Sequence, residues 1–137
     1  MKKANEAFPA DLLKLAKKMR ARAYAPYSKF AVGAAVRGKS GKLYGGCNVE
    51  NAAYPVGICA EAGAISAMVA GGDSEIAEIL VLAGGDELVS PCGACRQRIR
   101  EFAKPKTPVH LAREAGSGET VTLKKLLPMS FGPGHLK

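Results

Sequence analysis

No stretch of the 137 residues provides the roughly eighteen consecutive apolar side chains that a membrane-spanning helix needs, which excludes a helical membrane protein. The opening residues, MKKANEAFPADLLKLAKKM, hold neither a long apolar segment nor a small-residue cleavage site. A secretory signal is therefore not expected, and the chain reads as cytoplasmic. Internal repeats, linkers and low-complexity segments are missing too, and the length suits a single domain over residues 1–137. There are only two histidines, His110 and His135, which narrows the choice of metal ligands. Lys and Arg outnumber Asp and Glu by 20 to 12, for a net charge of +8, yet no basic run is interleaved with aromatics. Lys2, Lys3, Lys14, Lys17, Lys18, Arg20 and Arg22 gather in the first helical segment and the rest scatter. That pattern reads as a solvated basic face, and nucleic acid is not the expected partner.

What is present has the periodicity of an α/β domain. FPADLLKLAKKMRARA, Phe8 to Ala23, places Leu12, Leu15, Ala16 and Met19 on one helical face, with Pro9 in the first turn. FAVGAAVRGKSGKLYGGCNV reads as strand, turn and strand, turning at Gly38-Lys39-Ser40-Gly41. A helix is predicted from Cys59 to about Ala70, stopped by Gly71-Gly72. IAEILVLA, Ile76 to Ala83, has the length and apolarity of a buried central strand. An amphipathic helix from Gly93 to Phe102, a short strand from Pro108 to Ala112 and a final short helix in ETVTLKKLL complete the reading. The order predicts a sheet that starts as a hairpin and continues through crossover connections.

The chain has four cysteines. Without a secretory signal, and with an ordinary core, they point to a metal site or free thiols rather than two disulfides. Cys92 and Cys95 have the C-x-x-C spacing, which taken alone is either a redox pair or half a zinc site. A catalytic zinc needs a third protein ligand and one open position. His110 lies in an apolar strand and reads as a satisfied core histidine; His135 lies in the C-terminal tail. Cys47 sits in mid-strand and reads as a buried, inert thiol. Cys59 remains, at a helix N-terminus, where unpaired N–H groups and the macrodipole favour the thiolate that binds zinc. Residues at i and i+2 point apart in mid-helix, but in the first turn both lean towards an ion near the axis. Glu61 can thus work on a water beside a metal that Cys59 holds. Cys-x-Glu alone fits an exposed first-turn acid beside a buried thiol; the Pro-Cys-x-x-Cys at a second helix start tips the reading to zinc.

Cys59-Ala60-Glu61 followed by Pro91-Cys92-Gly93-Ala94-Cys95 resembles the zinc nucleobase deaminase pattern. YSKFAVGAAV, GGCNVENAAYP, PCGACRQ and LLPMSFGP extend the resemblance over most of the chain to cytidine deaminases of the small, all-cysteine type. The resemblance implies an α/β three-layer sandwich with a five-stranded mixed sheet between helices. It also implies a homotetramer whose active sites are completed by neighbouring subunits. It assigns one zinc to Cys59, Cys92 and Cys95, and proton transfer to Glu61. Asn48 and Glu50 fall on the ribose hydroxyls, Phe30 and Ala60 beside the substrate, and Phe131 over it from an adjacent subunit. The implied activity is hydrolytic deamination of cytidine and deoxycytidine in pyrimidine salvage.

One position departs from the pattern: Ala62 stands where an arginine usually follows the glutamate. Three thiolates and Zn²⁺ sum to −1, so such a zinc is a weak Lewis acid unless its surroundings withdraw charge. Arg96, directly after Cys95, and the two helix N-termini are the expected substitutes. Rival readings are deamination of another aminopyrimidine nucleoside or nucleoside antibiotic, editing of a polynucleotide, and a non-catalytic zinc module. The pair Asn48 and Glu50 argues against the first, and a structural zinc would need a fourth protein ligand.

Overall fold

A computed structural model describes residues 8–137. The proposed basic cluster includes Lys2 and Lys3, which lie outside the described residues. The elements run α1 (Ala10–Arg20), β1 (Val32–Gly38), β2 (Leu43–Cys47), α2 (Ala60–Ala70), β3 (Ile76–Ala83), α3 (Gly93–Phe102), β4 (Pro108–Arg113), β5 (Gly118–Thr122) and α4 (Leu123–Leu126). No helix among them is long and apolar enough to cross a membrane.

The five strands form one mixed sheet in the order β2-β1-β3-β4-β5. β1 is antiparallel to β2 and β3, β3 is parallel to β4, and β4 is antiparallel to β5. The hairpin and the helical crossovers predicted from the sequence are both present. Alternation along the strands divides the core into two layers. Ala34, Val36, Ile79, Val81, Val109 and Leu111 pack with Ala64, Met68 and Ile99 of α2 and α3. Ala35, Leu80, Leu82 and Ala112 face the other way, onto Leu12 and Ala16 of α1. The sheet thus lies between α1 on one side and α2 with α3 on the other, the expected three-layer α/β sandwich.

α1 is shorter than the predicted Phe8–Ala23. Pro9 is its N-cap, outside the first turn, and its carbonyl accepts the first helical bond from Leu13 N at 3.1 Å. α2 stops as expected: Gly72 takes φ +100°, and the Asp73 N–H returns to Met68 O at 3.1 Å. His110 is a satisfied core histidine, its ring bonded to Thr120 Oγ1 and Glu78 Oε1, each at 2.8 Å. Cys47 is the last residue of β2 and only half-buried, because the strand ends there and does not carry it into the core.

The backbone of α2 lies directly against β2. A Cβ on Gly46 would come within 2.3 Å of Ala64 N and 2.5 Å of Ala60 O. The absence of a side chain at that one position lets the first turn of α2 settle on the sheet, and this fixes where Cys59 and Glu61 stand.

Candidate metal centre and active site

Two helix starts meet on one side of the sheet. Cys59 is the N-cap of α2 and Cys92 the N-cap of α3, both extended, so each chain enters its helix at the thiol-bearing residue. Cys95 lies in the first turn of α3 and is buried. The three sulfurs lie within 4.8 Å of one another, and no other such group of donors is found among the described residues.

This donor set fits zinc. Tetrahedral Zn–S bonds of about 2.3 Å place sulfurs roughly 3.8 Å apart, within small adjustments of the observed cluster. Burial pushes the Cys59 and Cys95 thiols up, and the neighbouring Glu61 charge pushes further. The Cys92 thiol is held down, chiefly by the backbone N–H of Cys95 and then that of Ala94. Three thiols this close ionise together only when a cation joins them, and soft thiolates select metals of the zinc type. Three ligands leave one position open, as catalytic zinc requires.

Glu61 is 5% exposed, unlike the exposed first-turn acid that Cys-x-Glu alone would allow. Burial raises its proton affinity; its own backbone N–H, the Cys95 thiol and the charge of Arg98 pull the other way. A carboxyl of this kind, beside the metal ligands, is suited to accept a proton and give it back.

A groove of about 550 Å³ leads to Cys59, lined among others by Tyr27, Ser28, Asn48, Glu50 and Tyr54. Asn48 and Glu50 do not lie within β2 but flank Val49, which bridges to Tyr24 on one side and Ile58 on the other. The Val49–Ile58 pair exchanges two backbone bonds of 2.9 Å, which brings Asn48 and Glu50 alongside the start of α2. Both side chains are already oriented. Asn48 Nδ2 donates to Phe30 O at 2.8 Å and Oδ1 accepts from Val32 N at 2.9 Å. Glu50 Oε1 accepts from Tyr27 N and Ser28 N at 2.9 and 3.1 Å, and Oε2 accepts from the Ser28 hydroxyl. Those bonds, led by the one from Ser28, hold the Glu50 carboxyl below its ordinary range. Counting bonding capacity, Asn48 keeps one N–H and Glu50 one acceptor position on Oε2.

Phe30 is half-exposed and does not line the groove of its own chain, while its carbonyl positions Asn48. Ala60 is buried as the first residue of α2. Phe131 is exposed and stacks on His135 with ring centroids 5.0 Å apart. The structure does not bring Arg96 to the thiols. Its Nε donates to Pro91 O, Nη1 to Leu126 O and Nη2 to Ser90 Oγ, which ties the Cys92 loop to α4. The guanidinium at the sulfurs is that of Arg98, whose Nη1 lies 3.4 Å from Cys95 Sγ. The helical rule carries the reason: Arg98 is three residues after Cys95 and shares its face, whereas Arg96 is adjacent and does not. The same rule applied to PCGACRQR would have singled out Arg98. Ser28 and Tyr27 carried no comparable signal, because their role depends on Glu50, 22 and 23 residues away.

A family model described as "Cytidine and deoxycytidylate deaminase zinc-binding region" matches residues 8–111. A cytidine deaminase of Sporosarcina psychrophila is 46% identical over 125 residues, covering 91% of this chain and 92% of that protein. One from Halalkalibacterium halodurans is 40% identical over 120 residues, covering 88% and 91%. The crystal structure of a Burkholderia pseudomallei cytidine deaminase superposes with a TM-score of 0.85 at 40% identity, covering 90% of this chain and 99% of that one.

Proposed function

The chain belongs to the cytidine and deoxycytidylate deaminase family, and from that premise we propose that it is a zinc-dependent hydrolase converting cytidine and water to uridine and ammonia. Deoxycytidine is the second substrate of the same site. The observation that carries the reading is the meeting of three thiols within 4.8 Å beside the buried Glu61, at the end of a groove edged by Asn48 and Glu50.

Cys59, Cys92 and Cys95 would hold the metal, with Glu61 and the substrate approaching its open side. Zinc, when bound there, supplies the Lewis acidity that makes water acidic near neutral pH. Glu61 takes a proton from the attacking water and delivers it to N3 of the pyrimidine as the oxygen bonds to C4. It carries the second proton to the amino group, the C4–N bond breaks, and ammonia leaves. One carboxyl acts as base and then as acid, and its burial keeps bulk water from competing for the proton.

The spare N–H of Asn48 and the spare acceptor position of Glu50 form a donor and acceptor side by side, which suits a ribose hydroxyl pair. Their existing bonds to the backbone at Tyr27, Ser28, Phe30 and Val32 hold them in place before substrate arrives, so little freedom is lost on binding. Tyr27 and Tyr54, in edge contact at 6.1 Å, form the apolar rim.

The working form is a homotetramer. Tyr54, Val56, Ile58 and Phe131 are exposed, more apolar surface than solvent favours. Phe131 does not line the groove of its own chain, which suits a place over a neighbour's. Sedimentation should give four times the chain mass; a monomer at working concentrations would sink this part of the reading. None of the four cysteines is tied up in a disulfide, which leaves Cys59, Cys92 and Cys95 available to a metal. The cytoplasm and pyrimidine salvage are the setting we propose for this reaction. The deciding experiment is ultraviolet absorbance of cytidine mixed with zinc-loaded protein, with ammonia measured in parallel. Stoichiometric uridine and ammonia are expected. A folded, zinc-bound protein that leaves both cytidine and deoxycytidine unchanged would overturn the assignment.

A further inference from the structure

Zinc and three thiolates carry a net charge of −1, and strong sulfur donation weakens the Lewis acidity on which the proposed chemistry depends. Some group must draw charge from the sulfurs. Arg98 Nη1 donates to Cys95 Sγ at 3.4 Å, on the buried member of the trio. No salt bridge among the described residues uses the Arg98 guanidinium, and its charge acts on the sulfurs and on Glu61 beside them. Arg98 and Ala62 line one cleft between α2 and α3, together with Ile65, Ser66, Glu101 and Phe102. An arginine at position 62 would approach the sulfurs from α2. This chain has alanine there and sends a guanidinium from α3 instead.

We propose that Arg98 is the charge-withdrawing partner of the zinc thiolates, a positioning residue acting through Cys95 from the helix opposite the usual one. It sustains the Lewis acidity of the site without touching substrate. Although much of the side chain faces solvent, the effect is delivered through a direct bond to sulfur, which salt screens less than a distant charge. The kinetic part of this inference rests on the proposed deaminase activity; the metal part does not.

The test compares Arg98→Met, Arg98→Lys and the double variant Arg98→Met with Ala62→Arg, each as the full zinc-loaded protein and after substitution of Co²⁺ for zinc. In Arg98→Met, kcat for cytidine should fall about 10- to 100-fold with KM little changed, the mark of a lost effect on the transition state. The sulfur-to-cobalt charge-transfer band should move to longer wavelength, because a sulfur freed of its hydrogen bond donates more strongly. Zinc should also leave faster to a chelator. Lysine should recover part of each, and Ala62→Arg should restore both kcat and the band. An Arg98→Met protein with unchanged kcat and cobalt spectrum overturns the proposal. So does a slowed variant whose band and zinc release are unmoved and which Ala62→Arg fails to rescue. If the unmodified protein does not deaminate cytidine, the functional reading fails, while the cobalt band and zinc release still decide the role of Arg98.

Discussion

The Asn48 side chain pins the Phe30 carbonyl, Nδ2 to O at 2.8 Å, and with its other end takes the Val32 N–H at 2.9 Å. The residue proposed to meet the ribose is thereby also a brace between the end of β2 and the entry to β1. Asn48→Ala should lose both functions: KM for cytidine should rise, and stability should fall by about 1–3 kcal/mol for two bonds. Asn48→Asp keeps the acceptor for Val32 and loses the donor, so it should recover part of the stability and little of the affinity. Urea unfolding and steady-state kinetics on the two variants check this. Equal stability in Asn48→Ala and the unmodified protein would show that the brace is not significant.

Glu61 is nearly fully buried and meets the Cys95 thiol, so its removal by an amide of the same shape leaves the packing intact. Glu61→Gln should therefore retain one zinc per chain and the same unfolding midpoint or a higher one, because a buried carboxylate is costly and a buried amide less so. Turnover should fall by at least the 10²- to 10⁴-fold that general acid–base catalysis contributes. Loss of the metal in this variant would mean that Glu61 is itself part of the ligand set.

Most of the frame was legible because its signals are local. The β1–β2 hairpin follows from apolar residues on either side of Gly38 to Gly41, β3 from an unbroken apolar run, and the end of α2 from Gly71-Gly72. The metal cluster was legible for the same reason, since two short motifs each place thiols at a helix start. What sequence concealed depends on distant chain. Asn48 and Glu50 lie beyond the end of β2, and only the isolated bridges of Val49 to Tyr24 and Ile58 bring them beside α2. Adjacency to Cys95 points to Arg96, but the loop at Ser90 and Pro91 and the carbonyl of Leu126 claim its guanidinium, and helical geometry gives the sulfur to Arg98.

Gly46 carries the dependence of the site on the sheet. A methyl group there meets backbone atoms of Ala60, Gly63 and Ala64 below 3.0 Å, and backbone cannot rotate aside as a side chain can. Gly46→Ala should cost at least the 1–3 kcal/mol typical of overpacking. Because the displaced backbone is the first turn of α2, zinc affinity and turnover should fall with it. A variant that loses stability yet binds zinc as tightly as before would mean that α2 tilts at its far end and leaves Cys59 in place. Gly41, by contrast, has open space around a Cβ, and an alanine there tests only the strain of φ +95°.

On the opposite side of the sheet, Glu78 joins β1, β3 and β4. Its Oε2 accepts from Arg37 Nε and its Oε1 pairs with His110 Nε2, both at 2.8 Å, while Arg37 also donates to Asp11 of α1 at 2.8 Å. Partial burial alone would raise the Glu78 pKa, but the bonds from His110 and then Arg37 outweigh it and hold the carboxyl below the ordinary 4.5. A depressed folded-state pKa means that the unfolded chain takes up the proton first as pH falls. The stability that the carboxylate contributes is therefore full above pH 4.5 and disappears as the pH drops through the lower folded value. Glu78→Gln should cost about 1–3 kcal/mol at neutral pH, from charged hydrogen bonds weakened or lost. The gap between variant and parent should narrow steadily below pH 4.5, with turnover per folded, zinc-loaded chain unaffected because the network lies across the sheet from the thiols. Denaturant unfolding of both proteins from neutrality to about pH 3 checks this, and a gap that stays constant over the whole range would show that the carboxylate's charge contributes nothing.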